Sequence, residues 1–131
     1  MKIDAAQLSN VGFLWLRVFM GSGIAYHGYG KVFGGHITQL TSGLVQMGLP
    51  FPEVLAWAAA LSEFAGGILI VLGLFTRPAA FFVFVTMSVA AFKAHAADPL
   101  QVKELALAYW TISGFLILAG AGKYSLDNLR K

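Results

Sequence analysis

The chain has 131 residues, 58% of them hydrophobic and only 11% charged, with a formal net charge of +3 and no cysteine. Soluble domains carry about 25% charged residues, and a chain this short could not hide so much apolar surface from water; the composition excludes an ordinary soluble domain and reads as an integral membrane protein. The small net charge, without a basic run, gives no support for nucleic-acid binding, and the lack of cysteine removes disulfides, thiolate catalysis, and iron–sulfur or thiolate zinc sites.

The opening stretch MKIDAAQLSN is short and mixed in charge. A cleaved signal peptide needs a basic start and a small-residue cleavage site. Here the apolar run that follows carries Arg17 and continues to Val32 without a clear A-x-A site, so it is read as an uncleaved helix. A spanning helix needs about 20 mostly apolar residues, and residues 11–32 form the first such run. In the connection after it, Ile37, Leu40, Leu44 and Met47 recur at helical spacing with Thr38, Gln39, Ser42 and Gln46 between them. That pattern predicts a short helix lying at the membrane surface. GLPFPE ends it and starts the second span, residues 54–75. The triplet TRP at 76–78 leaves room for a tight turn only, with Pro78 suited to the first turn of the third span, residues 78–97. The second and third spans are then an antiparallel hairpin. DPLQVKE connects as briefly to the fourth span, residues 105–121, and the tail GKYSLDNLRK leaves the bilayer. The expected fold class is all-α: an integral membrane four-helix bundle with a short interfacial helix between helices one and two, forming a single transmembrane domain over residues 1–131.

Lys2, Arg77, Lys123, Arg130 and Lys131 fall on the side that holds both termini and the 76–78 turn, against Lys31, Lys93 and Lys103 on the other. Cytoplasmic loops carry the excess of Lys and Arg, which predicts both termini in the cytoplasm. Gly21, Gly23 and Gly28 lie in the first span, Gly66 and Gly67 in the second, and Gly114 in the fourth. Lipid gives helices no hydrophobic drive to associate, so close packing relies on such small residues. They permit a homo-oligomer without specifying one.

An ionisable side chain within a span is costly and is expected to be paired or functional. Glu63 lies roughly 18 Å from the cytoplasmic end of its span and Arg17 roughly 9 Å from that end of the first, so an extended guanidinium could reach the carboxylate. The competing reading has Arg17 snorkelling to the interface and Glu63 protonated by burial. Nearer the other side, His27 and His95 fall at similar depth on different helices, with Lys31 one turn above His27, Lys93 close in height, and Glu104 opening the fourth span. Arg17, Met20, Ile24, His27 and Lys31 follow one another at helical steps, as do Glu104, Ala108 and Thr111. Both faces are expected to point into the bundle.

Such a group could bind a quinone headgroup. A carbonyl oxygen needs hydrogen-bond donors as it becomes anionic on reduction, and His or Glu can pass protons. Tyr26, Tyr29, Tyr109 and Trp110 add aromatic surface at that height, where an interfacial aromatic belt is the plainer reading. Two histidines at equal depth could also be axial haem ligands, but His36, the only other one, sits in the loop, and a lone pair is too weak a signal to expect haem. His27, His95 and Glu104 have the right ligand types for a metal without a spacing that requires one, and no metal is expected. The alternative class is a non-catalytic scaffold or a small-solute or lipid-binding membrane protein, its charges holding the bundle together.

HGYGKVFGG at 27–35, GLP at 48–50, LSEFAGGILIVLGLFTRPAA at 61–80 and GAGKYSLD at 120–127 resemble the DoxX family, in order and at compatible spacing, from about Arg17 to Asp127. Arg17, His27, Gly28, Lys31, Glu63, Gly67, Arg77, His95, Glu104 and Gly120 fall where the family's characteristic residues lie. The resemblance implies a small four-helix protein of the bacterial inner membrane. It further implies a quinone-linked redox role, since the family takes its name from a membrane subunit of a thiosulfate:quinone oxidoreductase and other members are linked to redox stress or to resistance against quinones and catechols. Without cysteine the chain brings no thiol chemistry, and without a haem or flavin signature a redox partner protein would have to supply the electrons. On this reading Arg17 and Glu63 form a buried polar core, and His27, Lys31, His95 and Glu104 line a ligand pocket for a quinone.

Overall fold

The computed structural model describes residues 2–131, and no strand occurs among them. The first helix, α1, runs over Ala5–Phe33, 29 residues or roughly 43 Å, longer than a hydrocarbon core of about 30 Å. It starts six residues before the apolar run because Asp4 and Gln7 form a capping box: the Asp4 carboxylate accepts the Gln7 N–H at 2.7 Å, and the Asp4 N–H donates to the Gln7 side chain at 3.0 Å. A bend through Gly34 and Gly35 leads to α2 (Ile37–Gln46). Pro52 opens α3 (Pro52–Leu72), where its missing N–H costs nothing. Then come α4 (Thr76–Val89), continued by a π-helical turn over Ala90–Ala94, α5 (Leu100–Ala119) and the single-turn α6 (Leu126–Leu129). Among the described residues four helices, α1, α3, α4 with its π extension and α5, are long and apolar enough to cross a membrane. The molecule is an all-α membrane bundle.

The tightest seam joins α1 to α3, which run antiparallel. A Cβ added at Gly28 would lie 2.2 Å from the Phe64 nitrogen, one at Gly67 would lie 2.5 Å from the Ala25 nitrogen, and one at Gly21 would lie 2.7 Å from the Gly67 oxygen. The backbones of the two helices therefore touch, which in lipid substitutes dispersion contact for the absent hydrophobic drive. Across α4 and α5 the contact is aromatic: the Phe84 and Trp110 rings stack with centroids 5.3 Å apart, and the Trp110 Nε1–H donates to Ser88 Oγ at 3.0 Å. Met20, Ile24, Ile70, Val83, Met87 and Leu116 fill the middle.

One end of the bundle is closed by the segment after α5. The α3–α4 turn lies at 73–75, three residues earlier than TRP suggests, and TRP itself is the first turn of α4. Gly73 sets this stop. It adopts φ +67° and closes a Schellman motif, its N–H donating to the Ile70 oxygen and the Leu74 N–H to the Leu69 oxygen. The new helix start at Thr76 is capped from a distance. The Asp127 carboxylate accepts the Phe75 N–H at 2.8 Å and the Thr76 N–H at 2.9 Å, while its own N–H donates to the Gly73 oxygen at 2.7 Å. Phe75 holds a left-handed φ of 48°, costly without glycine, and the Arg130 guanidinium covers its ring at 4.2 Å. The GAGKYSLD stretch is thus a clasp over the hairpin.

Two outcomes follow from this packing. Gly28→Ala forces α1 off α3 and lowers the melting temperature in detergent by an amount reflecting about 1–3 kcal/mol of overpacking. Gly12→Ala, with open space around it in the same helix, is neutral or stabilising by up to about 1 kcal/mol; equal effects at both positions would contradict the seam. At Asp127 burial raises the carboxyl, but the Thr76 and Phe75 donors and the Arg130 charge outweigh it and hold the group below the ordinary carboxylate range. A depressed carboxyl stabilises the fold above its unfolded value and ceases to as pH falls through the lower folded value. Asp127→Ala should therefore cost about 0.5–2 kcal/mol at neutral pH, and melting curves should show the gap to the wild type closing at acid pH, through that window.

Candidate functional site

The charged groups inside the bundle divide between its two ends. At the clasp end Arg17 is fully buried. Its Nη1 donates to the Ile70 and Val71 oxygens at 3.2 and 3.1 Å, and its Nη2 donates to the Tyr124 oxygen. Ile70 and Val71 are among the last residues of α3, whose carbonyls lack the ordinary i+4 donors and carry the negative end of the helix dipole; the Ile70 oxygen accepts from both the Gly73 N–H and Arg17. Arg17 is therefore a helix cap that also ties in the clasp. The Arg17–Glu63 pair that helix depth allows does not form, because Ile70 lies roughly 10 Å along α3 from Glu63 and the guanidinium is already engaged there.

Glu63 pairs instead with Lys31: Nζ lies 2.5 Å from Oε2, with the Glu63 side chain only 4% exposed and the Lys31 side chain 28% exposed. The glycine seam explains this partner. Gly28 puts its backbone against Glu63 and Phe64, and Lys31, nearly one turn further along α1, emerges opposite the carboxylate. The buried stripe of α1 runs Arg17, Met20, Gly21, Ile24, Gly28. It passes through Gly28 where helical spacing also allowed His27.

The Lys31–Glu63 pair faces a cavity of about 330 Å³ between α2, α3 and α4. Its walls are mainly aliphatic, with Leu40 and Leu44 from α2, Leu55 from α3 and Val85 from α4 among them; Ser62, Thr86 and His95 are the other polar lining residues. The π-helical turn shapes one wall. The His95 N–H reaches back to the Ala90 oxygen at 3.0 Å, and the extra residue per turn brings Ala90, Ala94 and His95 together on the lining. Such turns are frequent at functional sites. His95 Nδ1 lies 2.7 Å from Asp98 Oδ2, a contact that orients the ring and leaves Nε2 without a partner among the described residues. Asp98, four residues past the π-turn's end, is marked in the sequence only by its i,i+3 spacing to a histidine.

His27 and Glu104 lie outside the cavity. His27 is exposed on the α1 face that meets α5, its ring 6.0 Å from that of Tyr109. Glu104, Ala108 and Thr111 do share a face, but it is exposed; α5 turns Ser113 and Leu116 inward instead. The reason is local satisfaction: Thr111 bonds its own helix through the Leu107 oxygen, and Glu104, in the second turn of α5, is exposed at the helix end. Among the described residues no three His, Asp or Glu side chains converge at metal-ligand spacing. What the cavity offers is an ammonium, a carboxylate and an imidazole around an apolar space, a set able to hydrogen-bond and exchange protons with one oxygen-bearing headgroup.

The DoxX family profile matches residues 12–96. The chain is 35% identical over 121 residues, 87% of each protein, to an uncharacterized protein of Haemophilus influenzae. It is 36% identical to the Escherichia coli inner membrane protein YqjF over 94% of this chain and 95% of that protein, and 39% identical to the E. coli inner membrane protein YphA over 64% and 66%. No solved structure matches it. On the profile match and these relatives, whose length it shares, the chain belongs to the DoxX family.

Proposed function

We propose that this protein binds the headgroup of a quinone in a bacterial inner membrane, with both termini in the cytoplasm, and manages that headgroup's protons as the quinone-handling partner of a redox protein. The observation that carries the reading is the cavity of about 330 Å³ that sets Lys31, Glu63 and His95 in an aliphatic wall, within the roughly 300–1,000 Å³ usual for small-molecule sites. When a quinone is reduced, its carbonyl oxygens gain electrons and protons and become hydroxyls. Lys31 keeps N–H donors free while bound to Glu63 and can stabilise the oxygen as charge develops. His95 Nε2 can deliver a proton, with Asp98 holding the ring and open to solvent for its return. The chain has no cysteine and so no thiol electrons to give; on this reading the electrons come from the partner. Relatives named as inner membrane proteins support the location, and the excess of Lys and Arg at the clasp end supports the orientation. α2, which roofs the cavity with its apolar side, is read as lying at the opposite interface.

The test is titration of the purified protein in mild detergent with a short-tailed benzoquinone. Wild-type protein should bind it, and Glu63→Gln, Lys31→Met and His95→Ala should each weaken binding about tenfold, the loss of one hydrogen bond to a charged or polarised group. His27→Ala and Glu104→Ala should leave it unchanged. Folded wild-type protein that binds no quinone ends the proposal and leaves these polar groups the bundle-holding role that Arg17 has at the clasp end.

Stability separates the pair's two duties. Lys31→Met strands a buried carboxylate and should cost about 3 kcal/mol. The double variant Lys31→Met/Glu63→Gln should recover most of that loss. Glu53→Gln, at an exposed position in the first turn of α3, should change unfolding little, and an effect as large as that of Lys31→Met would show that Glu63 holds no special place.

A further inference from the structure

The cavity does not end at its aliphatic wall. On the outside of the α3–α4 hairpin an open groove of about 470 Å³ runs from Ala58 and Leu61 down to Leu69 on α3, Phe75 in the turn and Pro78 on α4. Ala58, Ser62 and Phe82 line both the groove and the cavity. The two spaces therefore adjoin across one set of side chains. The groove exists because small residues, Ala65, Gly66 and Ala79, line its floor while Phe82 stands exposed at its side. From Ala58 to Leu69 it spans roughly 16 Å of helix. The α1–α3 seam carries an external groove too, but that one shares no lining residue with the cavity.

We infer that the groove seats the apolar tail of the molecule whose headgroup the cavity takes, so that the ligand is a long-tailed membrane lipid of the quinone type entering sideways between α3 and α4, rather than a tailless quinone or catechol arriving from water. The inference rests on the headgroup reading above and adds the tail and the route. The chemistry of the two spaces matches that division: the ammonium, carboxylate and imidazole lie on the cavity, whereas the groove below Ser62 presents only apolar side chains and backbone. A chain lying there exchanges lipid contacts for protein contacts. It therefore gains little hydrophobic free energy, and its value is orientation, holding the headgroup at the depth of Lys31 and Glu63.

The experiment is photocrosslinking in detergent with a benzoquinone whose alkyl tail carries a diazirine, followed by peptide mapping. Labels should concentrate on α3 and α4 residues of the groove, such as Ala65, Leu69 and Phe82, and an excess of the tailless benzoquinone should suppress them. Ala65→Trp fills the groove from a position that does not itself line the cavity. It should cut groove labelling about tenfold, as expected for about 1.4 kcal/mol of steric exclusion, while leaving tailless binding intact; Ile68→Trp, on the other seam, should leave both labelling and tailless binding unchanged. Labels that the tailless competitor suppresses but that fall outside the groove, or that survive Ala65→Trp, overturn the tail route and spare the headgroup reading. Labels that the competitor never suppresses overturn both.

Discussion

The backbone contact between α1 and α3 is the constraint on which the other features depend. Gly21, Gly28 and Gly67 remove the side chains that would hold two helices a normal distance apart, and the closeness fixes what sits opposite what. At one end it delivers Arg17 to the last carbonyls of α3. At the other it delivers Lys31 to Glu63. Burial of a charge in lipid is tolerable only with a partner in place, so the glycines are as much a part of both charged sites as the charges are.

The two ends then use similar chemistry for different purposes. Arg17 commits Nη1 and Nη2 to backbone oxygens and lines neither the cavity nor the grooves beside it, which makes it a structural clamp. The Lys31–Glu63 pair has one partly exposed member and an aliphatic space beside it. A satisfied pair next to an apolar void is a place where a polar headgroup can enter without leaving either charge alone, and that difference separates a clamp from a candidate binding site.

The spans were legible because an apolar run of about 20 residues fits a bilayer and little else. Their ends were not, because caps act through single side chains. Asp4 and Gln7 lengthen α1 against the hydropathy trend, and Asp127 starts α4 from beyond the next span. Helical spacing narrowed the inward face of α1 to a stripe without resolving neighbours: His27 and Gly28 both fit a step from Ile24, and the choice was made by Gly28's lack of a side chain, which lets Phe64 approach. The face of Glu104, Ala108 and Thr111 was sound as a face and turned the other way, since periodicity says which residues align and nothing about where they point. The π-turn before His95 adds one residue to a helical turn and leaves no mark in composition, so the way it brings Ala90, Ala94 and His95 onto one wall is not legible in the sequence.

The clasp has a bearing on biogenesis. Arg17 enters the bilayer with α1, ahead of the other helices described, yet the Tyr124 carbonyl it binds and the Asp127 carboxylate that anchors the same segment emerge only after α3, α4 and α5 have been made. Until then the guanidinium has the α3 carbonyls at best and the hairpin lacks its cap. The final locking of this end therefore waits on the ribosome reaching this short polar stretch, and a nascent chain stalled before it would leave the Nη2 group of a buried guanidinium without its acceptor.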